Sequence, residues 1–99
     1  MIRGTTPTLT FNLPFETSVV KSAYITICSK GIEVEKQTAD CVLSGTTIAT
    51  TLTQEESLKL PESQVAKVQL RVLTDEGEAL ATDIYTIRVA DILKEGVIS

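Results

Sequence analysis

The stretch AKVQLRVL, residues 66–73, decides the fold class because its side chains alternate between apolar and polar types from Ala66 to Val72. The apolar set consists of Ala66, Val68, Leu70 and Val72. The polar set consists of Lys67, Gln69 and Arg71. A period of two residues is the period of a β-strand, so the sequence predicts a strand here with one buried and one solvated face.

Six further segments show a weaker form of this pattern, and glycine or proline separates them at short intervals. These predicted strands cover residues 8–13, 21–28, 32–35, 41–43, 46–52 and 79–89. Within the last of them, residues 79–81 do not alternate cleanly, which predicts a bulge. Tight turns are predicted at residues 29–31, 44–45 and 75–77, where glycine supplies a positive φ.

One helical signal interrupts the strands. Thr53 and Glu56 fit a capping box, in which each side chain accepts a hydrogen bond from a free backbone N–H at the start of a helix. Pro61 ends the helix within one or two turns. The sequence therefore predicts a single short helical turn between two strands.

Seven short alternating strands in 99 residues are typical of an antiparallel sandwich with an immunoglobulin-like (Ig-like) architecture. A small closed β-barrel is the alternative, because it has the same period. The chain contains no Trp, so the core Trp of antibody domains is absent. We predict one domain over residues 1–99, with a short flexible N-terminal arm at 1–7 and a C-terminal tail at 91–99.

The net charge and the hydropathy of the sequence exclude some classes of partner and indicate a cellular compartment. The net charge is −4 and no basic cluster stands out, so nucleic-acid binding is not expected. No apolar run has the 18 or more residues of a membrane span, and residues 1–7 lack the hydrophobic segment of a signal peptide. We therefore expect a protein made in a cytoplasm, with Cys28 and Cys41 as reduced, structural thiols.

The residue types argue against catalysis. Histidine is absent, which removes the commonest general base and metal ligand. Cys28 lies mid-strand, and Asp40 should raise the pKa of the adjacent Cys41 thiol, so neither is expected to be a nucleophile. The acidic turn at 75–78 lacks the spacing of a calcium loop. We expect no enzyme, no metal and no cofactor.

A few apolar or unprotected residues remain as candidate contacts with a partner. Phe15 follows Pro14 at a strand end, where it either caps the core or anchors a partner. The Thr-rich strand at 46–52 lacks charged residues and proline, so we predict that it lies at a sheet edge that could pair with another chain. The candidate partner contacts are Phe15, Thr46, Ala49, Ile92, Leu93, Val97 and Ile98.

Three stretches carry a family resemblance: RGTTPTLTF at 3–11, TQEE at 53–56 and VQLRVLTDEG at 68–77. They resemble small structural proteins encoded in tailed phages and prophages of Gram-positive bacteria. The layout is also similar to the N-terminal Ig-like domain of phage baseplate upper proteins. In that family a Gly-led first strand, a Leu-Thr-x-Glu step and a final Ile-x-Val recur, and here they correspond to Gly4, residues 52–55 and residues 87–89.

The resemblance implies a virion structural protein of the tail, the baseplate or the capsid surface, made in the host bacterial cytoplasm. Its expected partners are other phage structural proteins, in a homo-oligomer or symmetric assembly. Longer family members continue into a helical and receptor-binding part, whereas this sequence stops at Ser99. An adaptor, decoration or plug-like role is therefore expected rather than receptor binding.

Two other functions remain open at this point. A carbohydrate-binding module would need aromatic side chains that stack on sugar rings, and Tyr24 and Tyr85 are the candidates. A small inhibitory or regulatory protein that mimics an acidic surface would agree with the net charge of −4.

Overall fold

The computed structural model describes residues 1–61, 65–90, 92–93 and 96–98. Within these ranges the chain forms strands and one α-helix, α1 (Gln54–Lys59). The strands are β1 (Thr8–Asn12), β2 (Val20–Ser29), β3 (Ile32–Gln37), β4 (Cys41–Ser44), β5 (Thr47–Thr51), β6 (Val65–Thr74), β7 (Ala79–Ala81) and β8 (Tyr85–Arg88). Two 3₁₀ turns, Thr17–Val19 and Thr38–Asp40, join strands.

The strands form two antiparallel sheets. A three-stranded sheet has the order β1-β5-β4, and a larger sheet has the order β3-β2-β6, with β7 and β8 following one another along the far edge of β6. The described residues do not close into a barrel. The predicted antiparallel β-sandwich is therefore confirmed.

The alternation seen at residues 66–73 determines the core. In β6 every second residue from Ala66 to Thr74 is buried, and its neighbour β2 buries Ala23, Ile25 and Ile27 in step. These side chains meet the inward face of the three-stranded sheet. The buried apolar residues are Phe11, Ala23, Ile25, Ile27, Val34, Ile48, Leu52, Leu60, Ala66, Val68, Leu70, Val72 and Val89.

The turn and helix predictions are confirmed in detail. Lys30 and Gly31 both have positive φ, the conformation that a two-residue hairpin with matching strand twist requires. At α1, the Thr53 hydroxyl accepts a hydrogen bond from the Glu56 N–H, and the Glu56 carboxylate accepts one from the Thr53 N–H. The helix ends at Lys59, before Pro61.

The last predicted strand is wrong in one respect. Residues 79–81 pair regularly with β6, and the break falls afterwards, at Thr82–Ile84. Thr82 donates its N–H to the Leu70 carbonyl, while its hydroxyl accepts the Leu70 N–H. A hydroxyl thus replaces a backbone acceptor, and the register shifts by one residue between β7 and β8. This split adds a strand to the seven that the sequence predicts.

The N-terminal arm is not the free segment that its composition suggests. Ile2 forms a parallel bridge with Ala90, and the Met1 ammonium donates to the Arg88 carbonyl. The Arg3 guanidinium donates to the carbonyls of Leu58 and Leu60, which ties the arm to the end of α1. The arm therefore lies along the end of β8 before the chain crosses to β1.

Candidate binding site

The described part of the chain contains no group of three or more His, Cys, Asp or Glu side chains that could hold a metal ion. Its helix α1 has six residues, and no helix there is long and apolar enough to cross a membrane. Cys28 and Cys41 are both free thiols. Burial raises the pKa of the Cys41 thiol, and the negative charge of Asp40 adds to this, against a lowering by the Thr50 hydroxyl and Lys36.

The sandwich has one closed and one open long side. On the closed side, the chain crosses from β3 to β4 through the 3₁₀ turn, and the Thr38 hydroxyl accepts a hydrogen bond from the Ala23 N–H. On the open side, β1 faces β7 and β8 across a groove. The N-terminal arm lies at one end of this side, and residues 13–19, which lead from β1 to β2, line the groove at the other end.

Three adjoining depressions form the groove, with volumes of about 400, 390 and 480 Å³. The first two share Asn12, Thr82 and Tyr85, and the last two share Phe15 and Leu80. Apolar groups make up somewhat more than half of their lining, beside hydroxyl, amide and carboxylate groups. The apolar residues of the lining are Leu9, Phe11, Leu13, Pro14, Phe15, Val19, Val68, Leu70, Val72, Leu80, Ala81, Tyr85 and Ile87.

Two aromatic residues approach each other across the groove. The ring centroids of Phe11 on β1 and Tyr85 on β8 are 6.3 Å apart, at an interplanar angle of 49°. Phe11 is buried, whereas Tyr85 is about half exposed. Phe15 packs partly buried against the core, which is one of the two roles that the sequence left open, and it also lines the groove. Its contact with a partner stays a prediction.

The free edge of β1 exposes backbone hydrogen-bonding groups in a fixed order. Leu13 donates its N–H to the Thr46 carbonyl, and Leu52 donates to the Pro7 carbonyl. Because antiparallel pairs alternate between bonded and non-bonded positions, the odd-numbered residues of β1 bond to β5. The N–H and C=O groups of Thr8, Thr10 and Asn12 therefore point away from β5, toward the open side.

The edge of β3 is different, because a charged residue lies on its inward face. Lys36 is buried, and its Nζ is 2.7 Å from Glu56 Oε1 on α1. Burial raises the pKa of the Glu56 carboxyl, but hydrogen bonds from Lys36 and the Thr53 N–H outweigh it and hold that pKa below its ordinary value. Inward-pointing charges are a known protection of edge strands against pairing with other chains.

The outer faces of the two sheets also differ in charge. On the larger sheet this face carries Glu33, Glu35, Lys67, Arg71 and Arg88. On the three-stranded sheet it carries no charged residue within β1, β4 and β5. That uncharged face consists of Thr8, Thr10, Asn12, Val42, Ser44, Thr47, Ala49 and Thr51.

The predicted edge position of the Thr-rich strand is wrong. β5 lies in the centre of its sheet, with Ala49 paired to Thr10 on one side and to Val42 on the other. Thr46 lies in the turn before it, where its carbonyl accepts the Leu13 N–H. The absence of charges in this strand reflects its central position, and Ala49 reaches the surface only through the uncharged outer face.

The structure separates the apolar residues of the C-terminal tail. The Ile92 side chain is half-buried beside Gly4, whose positive φ and lack of a Cβ make room for it. Leu93, Val97 and Ile98 are exposed, and Leu93 is fully so. The backbone N–H and C=O of Ile98 both bond to the side-chain amide of Gln54 at the start of α1. The described tail residues thus lie at the helix end of the domain.

The two tyrosines do not form one platform. Tyr24 on β2 lies on the outer face of the larger sheet, where the Arg71 guanidinium is 5.8 Å from its ring centroid. Tyr85 on β8 pairs with the buried Val68 and therefore faces the groove on the other side of that sheet. A sugar ring cannot stack on both, so their placement does not favour a glycan site.

Two features of the site were missed by sequence reasoning. The Lys36–Glu56 pair had a local signal, because Lys36 continues the inward period of Ile32 and Val34. The groove had none, since it depends on which strands lie at the sheet edges. In comparisons with known proteins, no family model, no curated protein and no solved structure matches this chain.

Proposed function

We propose that this chain is a structural protein of a tailed phage particle, which acts by binding neighbouring proteins and not by catalysis. The observation that supports it is the contrast between the two sheets. One sheet has charges on its outer face and a buried ion pair behind its edge strand β3. The other has an uncharged outer face that continues into the unprotected edge of β1.

Charge depletion is characteristic of the buried centre of protein interfaces. The whole chain carries 22 charged residues, thirteen acidic and nine basic, whereas the eight outward positions of this sheet carry none. Threonine and serine hydroxyls tolerate both water and burial in an interface, provided that they find partners. The Thr8 and Thr51 hydroxyls already bond to each other at 2.8 Å.

The family resemblance supplies the phage context, and repeated subunits are the usual way in which such particles are built. In this proposal, the uncharged face packs against a neighbouring subunit in a symmetric assembly. The domain would then act as an adaptor or decoration of the tail, the baseplate or the capsid surface.

Incorporation into particles tests the proposal. A tagged copy is expressed in the bacterium that carries this sequence, particles are induced and purified, and the chain is quantified by mass spectrometry. Val42→Lys places a charge on the uncharged face at a side chain that is 68% exposed, so folding should be unaffected. We expect incorporation to fall at least tenfold.

Thr86→Lys is the matched control, because Thr86 is an exposed strand residue on the outer face of the larger sheet. It should be incorporated like the unchanged chain. Absence of the unchanged chain from purified particles would refute the proposal. Equal incorporation of Val42→Lys and Thr86→Lys would refute the assigned face.

A further inference from the structure

The open side of the sandwich has the layout of a position from which a strand is missing. Two sheet edges, β1 and the β7–β8 edge, flank a groove of three continuous depressions. The N-terminal arm fills the far end of this side through its bridge to Ala90. Between the arm and Phe15, inward side chains such as Tyr85 and Leu80 remain partly exposed.

Of the four strand edges, β1 is the one most suited to accept another strand. β3 is protected by the buried charge of Lys36. The edge formed by β7 and β8 is interrupted at Thr82–Ile84, and bulges of this kind disfavour pairing. β4 has only four residues. β1 is regular over five residues, and contains neither a charge nor a proline.

The groove specifies the chemistry of its occupant. An added strand would bond to the outward backbone groups of Thr8, Thr10 and Asn12, and every second side chain would point into the groove. Inward side chains of the groove such as Tyr85, Leu80 and Phe15 are apolar, so alternate apolar side chains of the occupant can pack on them. A strand that follows all of β1 spans about 17 Å, or about five residues.

Acidic residues at one end of the groove favour one orientation of the occupant. The groove is lined at its Phe15 end by Asp75, Glu76, Glu78 and Asp83. Among the residues that the structure describes, no lysine or arginine lines any of the three depressions. A lysine or arginine at one end of the occupant would therefore be attracted to this end of the groove.

We propose that the open side binds an extended segment of a different protein, which adds to β1 as a strand. The segment buries alternate apolar side chains in the groove and places a lysine or arginine beside Asp83 and Glu78. The inference rests on the proposed function, because it takes the protein that donates the segment to be a neighbour of this chain in the particle. The segment supplies the strand that the sandwich lacks on this side.

A yeast-displayed library of random linear nine-residue peptides, selected on the folded domain, tests this directly. We expect the selected peptides to carry apolar residues at every second position and a lysine or arginine toward one end. Selected peptides without this alternation, or the recovery of no binder, would overturn the proposal.

The selected peptides are then measured by fluorescence polarisation against two variants of one residue. Thr10→Pro removes a backbone N–H that points toward the open side and should weaken binding at least tenfold. Thr10→Val keeps that N–H and the β-branched shape, so binding should change less than twofold. Equal affinity for the two variants would overturn strand addition.

Hydrogen exchange on the unchanged domain covers the case in which Thr10→Pro does not fold. Saturation with peptide should slow exchange at the amides of Thr8, Thr10 and Asn12 at least tenfold, and leave Leu9 and Phe11 unaffected. The double variant Asp83→Asn, Glu78→Gln should weaken lysine-containing peptides at least fivefold more than lysine-free ones. No protection at the three amides would contradict the proposal.

Light scattering over a concentration series tests whether a second copy of this chain, and not a different protein, binds at the edge of β1. A dimer of the domain that Thr10→Pro abolishes and Thr10→Val preserves would assign the edge to a second copy of this chain, and would overturn the proposal. Absence of the chain from phage particles would refute the proposed function alone, because peptide binding is measured on the purified domain.

Discussion

Strands β1 and β3 are both outer strands of their sheets, and they differ in what lies behind them. β3 places the side chain of Lys36 inside, where its Nζ is 2.7 Å from Glu56 Oε1. A strand added to β3 would therefore enclose a charged pair. β1 places the apolar side chains of Leu9 and Phe11 inside, where they line the groove. The same architecture therefore has one edge that resists pairing and one that permits it. The difference indicates which of these two outer strands can accept a strand from a partner.

The largest loss of stability is expected when a proline is placed in β5, the central strand of its sheet. Antiparallel alternation directs the Ala49 N–H toward Val42 in β4. Ala49→Pro removes this hydrogen bond from a central strand and should cost more than about 3 kcal/mol, enough to unfold a small domain. Circular dichroism in a urea titration measures it. Thr10→Pro, at the free edge, should stay folded, and equal loss for both would contradict the sheet order.

The next effect concerns the ion pair behind β3. Glu56→Ala leaves the Lys36 ammonium buried without its carboxylate and removes half of the capping box, for a loss of about 2–3 kcal/mol in the free energy of unfolding. Glu55→Ala is the control, because Glu55 is exposed in the same helical turn and should cost less than about 1 kcal/mol. Similar losses in the two variants would show that the pair contributes little.

Lys36→Val should turn the protected edge into an unprotected one. Glu56 keeps its bond to the Thr53 N–H and is partly exposed, so the domain should stay folded at a cost of about 1 kcal/mol. We expect its mass by light scattering to rise with concentration where the unchanged domain stays constant. Lys67→Val, on the outer face of the central strand β6, should not do so. A constant mass for Lys36→Val would remove the protective role of the lysine.

The smallest effect is a dependence of stability on pH. The pKa of Glu56 is lower in the folded chain than its ordinary value of about 4.5. A depressed carboxyl pKa stabilises the fold above the ordinary value, and this contribution is lost as the pH falls through the folded pKa. Urea titrations from pH 6 down to pH 3 should show a decrease that begins near the ordinary value and is smaller in Glu56→Gln. An identical pH profile in that variant would contradict the assignment.

The sequence predicts those parts of the fold that depend on local pattern. The alternation at 66–73 requires one buried face whatever lies beside it, and Thr53 and Glu56 satisfy backbone groups within the same turn. Sheet order is different, because it depends on pairing between distant segments. β5 therefore looked like an edge from its composition, although it lies between β1 and β4.

The same distinction applies to the candidate site. Phe15 could be singled out as an apolar residue beside a proline, and it lines the groove. The groove itself requires β1 and β8 to be edges that face each other, and Thr82–Ile84 to break the strand beside β6. Neither condition has a local signature. The inward position of Lys36 could have been predicted from the sequence, because Lys36 continues the alternation of Ile32 and Val34 in β3.

Site-specific photocrosslinking in cells that assemble particles tests the contrast between the two edges most directly. A photoreactive amino acid replaces Thr10 on β1 in one chain and Glu33 on β3 in another, both at exposed positions. The account predicts a crosslink from position 10 to a different protein of the particle, and none from position 33. A partner crosslinked from position 33 and not from position 10 would contradict it.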